Sequence, residues 1–355
     1  MLTLGIFVAV ILAIHVLRVV YSKFCLKNLD VHVSIPATTA TEGDVLILTE
    51  VLTNNKWLPL PWVSVKFRAG RELEFAGTAA VTDAYYRNDL FHILMHQKIT
   101  RRLEFTCAKR GCFSIDGLEI TAWDVLMEKK YIRKYPYNLQ LIVYPGTIPI
   151  QELDDLCTRV YGQLVSKQPI NPDPFSFRGI REYSSGDPMK AINFKASARG
   201  MGLMVNVWDF SNARQVGILL DLWHHSVMYD ERLDERAIKI VASVAEKMMT
   251  LSASVSFATN DRVIYEGHGT QHLQAILETL ALIDFSKSTP HIAETLDRLA
   301  AEKQHDPEYW LISPYYSKET HEAVARLKDS GARVAWIMPV PKPTDIEVWD
   351  EIIFV

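Results

Sequence analysis

Apolar residues recur at every second position from Val31 to about Pro145, but after Arg214 they gather into short unbroken runs separated by amphipathic helices. No single sheet satisfies both patterns. Alternation belongs to strands with one buried face, and unbroken runs belong to strands covered on both faces. In the first region, "DVLILTEVLTNNKWLPLPWVSVKF" alternates Val45, Ile47, Thr49 and Val51, turns at Asn54-Asn55, and resumes with Val63, Val65 and Phe67. "ITRRLEFTCAKRGCFSIDGLEITAWDVL" reads as a hairpin turning at Lys109-Arg110-Gly111, with a later bend near Asp116-Gly117. A small β-sandwich over residues 30–147 lets two sheets bury these alternating faces against each other.

After Arg214 the runs "RQVGILLD", "ASVSFAT", "YWLISP" and "RVAWIMP" have the length and composition of fully covered strands. The helix predicted around Glu235 to Leu251 places Ala237, Ile240, Val241, Val244 and Met248 on one face, and the helix beginning near Thr270 does the same with Leu273, Ile276, Leu277 and Leu280. Right-handed crossovers then make residues 214–355 an α/β domain with a doubly wound parallel sheet. A ligand or partner would meet it beyond the carboxyl ends of the strands, near Asp221, Thr259 and Pro314.

The segment "MLTLGIFVAVILAIHVLRVVY" is apolar from Met1 to Leu17 apart from Thr3 and His15, which is about the length that crosses ~30 Å of hydrocarbon. It lacks the basic start and small-residue cleavage site of a signal peptide, so residues 1–21 read as an uncleaved single-pass membrane anchor. Arg18, Lys23 and Lys27 follow the span and no basic residue precedes it, which places the globular part in the cytoplasm. The four cysteines, Cys25, Cys107, Cys112 and Cys157, are too few and scattered for a disulfide framework and read as reduced thiols. A net charge of -4 and a pI near 6.3 argue against a duplex-binding protein, so no nucleic-acid partner is expected.

Residues 148–213 form a linker that carries the densest charged cluster in the chain, "FRGIREYSSGDPMKAINFKASARGMGLMVNVWDF". Asp187 followed by Pro188 reads as a helix N-cap with proline at N1, and Gly200 suits the C′ position, so a helix is predicted from Pro188 to Arg199. Lys195 and Arg199 would share a face of it. Arg178, Arg181 and Glu182 precede it in an extended stretch that could return alongside, pairing Glu182 or Asp187 with a basic side chain. Two readings stand side by side. The cluster is a structural ion-pair lock, or Arg181, Lys195 and Arg199 present donors to a carboxylate or phosphate on a partner. No Ser-His-Asp order, paired-carboxylate site, Walker loop or metal-ligand quartet can be assembled from these motifs, so no catalytic residue and no cofactor is assigned.

The run Gly179, Arg181, Glu182, Tyr183, Gly186, Asp187, Ile192, Asn193, Phe194, Lys195, Ser197, Ala198 and Arg199 resembles the signature of the bacterial family called domain of unknown function 58. Asn193 and Phe194 depart from that pattern, which has aspartate and tryptophan more often at these two positions. The charged cluster and the resemblance together mark Arg178, Arg181, Glu182, Gly186, Asp187, Asn193, Lys195 and Arg199 as candidate binding residues. It implies a non-enzymatic, membrane-anchored interaction protein working beside a MoxR-type AAA+ ATPase in assembling or maturing membrane or cell-envelope complexes. It also implies a degenerate von Willebrand factor A-like fold for the α/β domain. In that fold an Asp-x-Ser-x-Ser loop holds Mg²⁺, but here the loop is Asp221-Leu222-Trp223-His224-His225. Asp221 alone matches, and indole offers no oxygen to a hard cation, so no metal is assigned.

Overall fold

The computed structural model describes residues 2–70, 72–75, 86–165, 177–183, 192–197, 202–208, 215–223, 230–285, 290–302, 308–340 and 352–355. The chain divides into two compact units, one of residues 1–146 with 277–284 and one of residues 147–276 with 285–355.

The first unit begins with helix α1 (Leu2–Phe24). Among the described residues nine strands follow: β1 (Leu29–Ser34), β2 (Thr39–Thr41), β3 (Val45–Asn54), β4 (Leu60–Arg68), β5 (Leu73–Phe75), β6 (Tyr86–Ile93), β7 (Lys98–Cys107), β8 (Gly111–Trp123) and β9 (Lys130–Tyr144). They form a four-stranded sheet in the order β1-β3-β7-β5 and a five-stranded sheet in the order β2-β9-β8-β4-β6. One core joins the two sheets, with Leu48, Leu52 and Phe105 from the first meeting Val63, Phe67, Ile120 and Leu141 from the second. Within α1, Leu4–Phe24 is long and apolar enough to cross a membrane, with a mean hydropathy of 2.4. Its last turn joins the same core through Tyr21, and Cys25 and Leu29 follow it in.

Two local expectations change. The strands flanking Lys109-Arg110-Gly111 do not pair as a hairpin: β7 pairs with β3 and β5, β8 pairs with β4 and β9, and the turn carries the chain from one sheet to the other. Arg110 explains why that turn is fixed. Its buried guanidinium donates to Leu280 O at 2.7 Å and Ile283 O at 3.1 Å, so the corner is anchored by charge-assisted bonds. In β3 the inward phase is Leu48, Glu50, Leu52 and Asn54, whereas Val45 and Ile47 are exposed. The bend at Asp116-Gly117 is a β-bulge in β8, with Gly117 at φ +75°, a backbone region that favours glycine.

Glu50 is buried beside an ion-pair cluster. Asp89 on β6 accepts from Arg87 Nε at 2.7 Å and from Arg101 Nη1 at 2.9 Å, and Arg101 lies opposite Glu50 across the β3–β7 ladder. Burial, then the charge on Asp89, pushes the Glu50 carboxyl up to about 8. Asn54 donates from Nδ2 to Leu58 O and Leu94 O and ties two turns together.

The second unit starts with α2 (Ile150–Val165), then the ribbon strand β10 (Phe177–Glu182), the short helix α3 (Phe194–Ser197) and β11 (Met204–Trp208). The α/β part follows as β12 (Gln215–Leu220), α4 (Glu231–Thr250), β13 (Ser254–Thr259), β14 (Val263–Gly267), α5 (Thr270–Ala281), α6 (Ile292–Ala301), β15 (Glu308–Ile312), α7 (Lys318–Asp329), β16 (Arg333–Met338) and β17 (Ile352–Phe354). Their sheet runs β14-β13-β12-β15-β16-β17 and is parallel except at β14, an antiparallel edge. β12, β15 and β16 are buried along almost their whole length, as covering on both faces requires.

α2 lies inside the stretch assigned from sequence as linker and is bonded into this unit. Glu152 pairs with Arg236 at 2.8 Å, Asp154 with Lys247 at 3.0 Å, and Tyr161 meets Trp310 edge to face. Leu153, Leu156, Cys157, Val160 and Leu164 form its buried stripe.

Candidate functional site

The signature segment folds as a two-stranded antiparallel ribbon with a helical turn on its edge. Ile180 of β10 opposes Asn206 of β11, Arg181 opposes Val205, and Glu182 opposes Met204. Tyr183 N donates to Leu203 O at 2.8 Å and continues the ladder. Ile192 bridges Val205 and Asn193 N donates to Met204 O, so these two residues extend the sheet rather than the helix. The continuous helix predicted from Pro188 to Arg199 is therefore corrected: among the described residues only Phe194–Ser197 is helical. Pairing to Val205 and Met204 outweighs the capping signal of Asp187 and Pro188 at these positions.

Ser197 holds this turn in place. Its hydroxyl donates to Asn193 O at 2.8 Å and accepts from Met204 N at 2.8 Å, so one side chain closes the helical turn and ties it to β11. Lys195 and Glu182 are exposed. Arg178 and Arg181 sit on β10, and their side chains lie outside the described residues, as do Gly186, Asp187 and Arg199. The ion-pair lock predicted between Glu182 or Asp187 and the basic side chains falls on that same undescribed part.

A second polar constellation lies at the carboxyl ends of the parallel strands. Asp221, Asn260 and Ser313 follow β12, β13 and β15 directly and are all buried. Asp221 Oδ1 accepts from Trp223 N at 3.0 Å and from Asn260 Nδ2 at 2.9 Å, and Asp221 Oδ2 lies 3.1 Å from Ser313 Oγ. Asn260 also accepts from Leu222 N and donates to Pro290 O. Burial pushes the Asp221 carboxyl up, opposed by the donors from Asn260, Trp223 and Ser313. Ser313 Oγ is also 2.7 Å from Tyr315 O, and a hydroxyl has one proton. Protonation of Asp221 would let it donate to Ser313 while Ser313 donates to Tyr315 O.

These contacts decide what the strand ends can hold. A Mg²⁺ site needs oxygens turned toward the ion, whereas the amide of Asn260 and the backbone N–H of Trp223 are directed at the carboxylate. The described residues do not fit the metal. His225 lies outside the described residues, and among the described residues no three His, Cys, Asp or Glu side chains converge on one point. Asp234, fully buried in the first turn of α4, has its carboxyl pushed up to about 7 by burial.

Two aromatic groupings lie in the α/β part, one of them beginning two residues after Asp221. Trp223 packs on His291 at 4.3 Å between ring centroids, and His291 in turn caps α6 by accepting from Ala293 N. Tyr316 stacks on Trp336 at 5.8 Å, with His321 against both. A cavity of about 550 Å³ lies against β12 and β13, lined by Ser254, Ser256, Tyr265, Arg298 and Tyr309 among others, and none of the described signature residues lines it. Asn260 and Ser313 were legible only as the polar residues that end "ASVSFATN" and "YWLIS"; nothing local to either joins them to Asp221.

A family model described as "Protein of unknown function DUF58" matches residues 179–349, the signature ribbon and nearly all of the α/β part. No curated protein matches the chain. Among solved structures, a type II cohesin domain from the cellulosome of Acetivibrio cellulolyticus is 8% identical with a TM-score of 0.25, covering 32% of this chain and 95% of that one. A cohesin module of a Clostridium perfringens family 33 glycoside hydrolase is 6% identical with a TM-score of 0.23, covering 32% and 96%. A CARDB domain from Pyrococcus furiosus is 14% identical with a TM-score of 0.21, covering 32% and 91%. Likeness at this level carries no argument about ligands or partners.

Proposed function

Because the chain belongs to the DUF58 family, we propose that it is a membrane-anchored, non-enzymatic interaction protein whose second unit is a von Willebrand factor A-like domain with its metal site replaced by side-chain hydrogen bonds. Its globular part faces the cytoplasm, on the side where Arg18, Lys23 and Lys27 follow the span. It works beside a MoxR-type AAA+ ATPase in assembling or maturing membrane or cell-envelope complexes, a choice of partner that rests on the family resemblance.

One observation carries the reading. The strand-end aspartate of an A-type sheet is Asp221, and its carboxylate is taken up by Asn260, Trp223 and Ser313. The sheet order, with one antiparallel edge beside the first two parallel strands, supports the A-type assignment. The other reading, an enzyme or phosphate-ligand binder using Arg181, Lys195 and Arg199, gains no support among the described residues, where Lys195 is exposed on a four-residue helix and does not line the cavity.

A pull-down of the tagged full chain from detergent-solubilised membranes, with and without ATP, tests the proposal. An AAA+ ATPase should co-purify in a nucleotide-dependent way, and Lys195→Ala should weaken its recovery while circular dichroism stays unchanged. Absence of any ATPase in both nucleotide states would overturn it.

A further inference from the structure

Strand register brings three turns of the first unit to the place where α1 ends. Leu29 opposes Asn54, Thr53 opposes Lys98, Leu60 opposes Ile93 and Trp123 opposes Lys130, so the turns 55–59, 94–97 and 124–129 share one end with the residues leaving the helix. Direct contacts fasten them there. Asn55 N donates to Asn28 O at 3.0 Å, His96 N donates to Lys56 O at 3.1 Å, and the Tyr21 hydroxyl donates to Pro59 O at 2.8 Å. Phe24 packs on Trp57 at 6.5 Å, and Arg18 pairs with Glu128.

That last pair sets a depth. Arg18 lies six residues before Phe24, about 9 Å back along the helix axis at 1.5 Å per residue. The 124–129 turn therefore rises beside the last turns of α1 rather than stopping where the helix ends. Beside the ordinary turn residues Asn55, Pro59 and Asp124, these tips carry large apolar side chains. Trp57, Leu94, Met95, Val125, Leu126 and Met127 are all exposed, with Met127 54% and Trp57 57% accessible. The backbone is built to hold them out. Buried Asp124 accepts from Glu128 N at 2.9 Å, and Met127 adopts φ +54°, a conformation that no water-facing turn assigns to methionine by preference. Lys23, Lys27, Lys129 and Lys130 are exposed around the same end.

We propose that this end of the first unit is a second membrane contact, in which the three turns enter the interfacial layer of the bilayer crossed by α1 and the lysines meet anionic headgroups. Apolar groups at an interface bury to ~5–10 Å, which matches a turn level with Arg18. Aromatic and lysine side chains are the residues that interfacial layers select. The bilayer is the occupant because the patch is continuous with the exit of the membrane-crossing helix. The inference rests on reading α1 as a span, and is independent of any ATPase partner.

The test uses the full chain in nanodiscs of phosphatidylcholine and phosphatidylglycerol. An environment-sensitive fluorophore is placed on Leu126→Cys in a Cys112→Ser background, where the three remaining cysteines are buried. A second preparation carries it on native Cys112, which pairs with Ile142 at the opposite end of the sandwich. With nitroxide-labelled lipid included, the probe at 126 should lose most of its emission and the probe at 112 should keep it; Met127→Cys repeats the measurement should the first variant fold poorly. Equal quenching at both ends in chain that resists carbonate extraction overturns the proposal while leaving the anchor intact. A blue-shifted but unquenched probe at 126 overturns it in favour of a protein contact. Release of the chain by carbonate removes the anchor and the proposal together.

Discussion

Asn260 donates to Asp221 across the carboxyl ends of neighbouring strands β13 and β12, at 2.9 Å, and both side chains are buried. The bond is one of three that Asn260 makes, since it also accepts from Leu222 N and donates to Pro290 O. A single amide thus supports the turn after β12, the segment before α6 and the only acidic group at the strand ends that matches a metal-binding loop.

Replacing that amide should be costly. Asn260→Ala leaves the Leu222 N–H and the Asp221 carboxylate each short of a partner, and each buried unsatisfied group costs ~1–3 kcal/mol. We expect a loss of at least ~2 kcal/mol in urea unfolding followed by Trp fluorescence. Addition of Mg²⁺ to the wild-type chain should leave the same unfolding midpoint where it was, and an upward shift would mean that Asp221 binds the ion.

Glu50 and Asp234 make stability depend on pH in a defined direction. Both carboxyls are raised on folding, Glu50 from 4.5 to about 8 and Asp234 from 3.8 to about 7, with burial the largest cause for each. The folded chain therefore holds more protons than the unfolded chain between those limits. This contribution is fully present below pH 3.8 to 4.5 and is lost as pH rises through about 7 and 8. Glu50→Gln and Asp234→Asn should each flatten the decline in Tm measured between pH 5 and pH 8.5. An unchanged slope in both variants would refute the assignment.

Ser197→Ala removes the hydroxyl that joins Asn193 O to Met204 N. The ribbon should lose ~1 kcal/mol of local stability, because one part-buried hydrogen-bond partner is withdrawn from the β11 backbone. Hydrogen exchange at Met204 should accelerate about tenfold for each 1.4 kcal/mol lost, while exchange in β12 stays as it was. Uniform acceleration across both segments would mean that Ser197 acts on the whole unit.

Cys112 is exposed and the other three cysteines are buried, which provides a native orientation probe. In spheroplasts a membrane-impermeant maleimide should leave the chain unlabelled until the inner membrane is opened. Labelling of intact spheroplasts would place the globular part outside the cytoplasm.

The division into a β-rich half and an α/β half was visible in the change of period near Arg214, because burial on one face and burial on two leave different patterns. Helix α4 and its stripe of Ala237, Ile240, Val241, Val244 and Met248 were equally visible. Helix α2 was legible too, in Leu153, Leu156, Val160 and Leu164, but the charged cluster after it drew the whole region into a linker. The extent of the signature helix was not legible, since the capping residues Asp187 and Pro188 say nothing of the strand β11 that captures Ile192 and Asn193. Asp221 stood out as a strand-ending carboxylate, while Asn260 and Ser313, 39 and 92 residues away along the chain, did not.

Strand β3 separates what the amino acids dictate from what folding adds. "VLILTEVLTN" alternates whichever way it is read, so its being a strand with two distinct faces was settled by side-chain order alone. Which face turns inward was not, because local pattern favours burying Val45 and Ile47 over Glu50 and Asn54. The folded protein buries the polar phase: the carbonyls of Leu58 and Leu94 receive Asn54, and Arg87 and Arg101 lie near a Glu50 carboxyl that burial pushes up to about 8. A buried polar group is tolerated only when its partners arrive with it, and those partners lie on turns and strands that only the tertiary structure brings into reach.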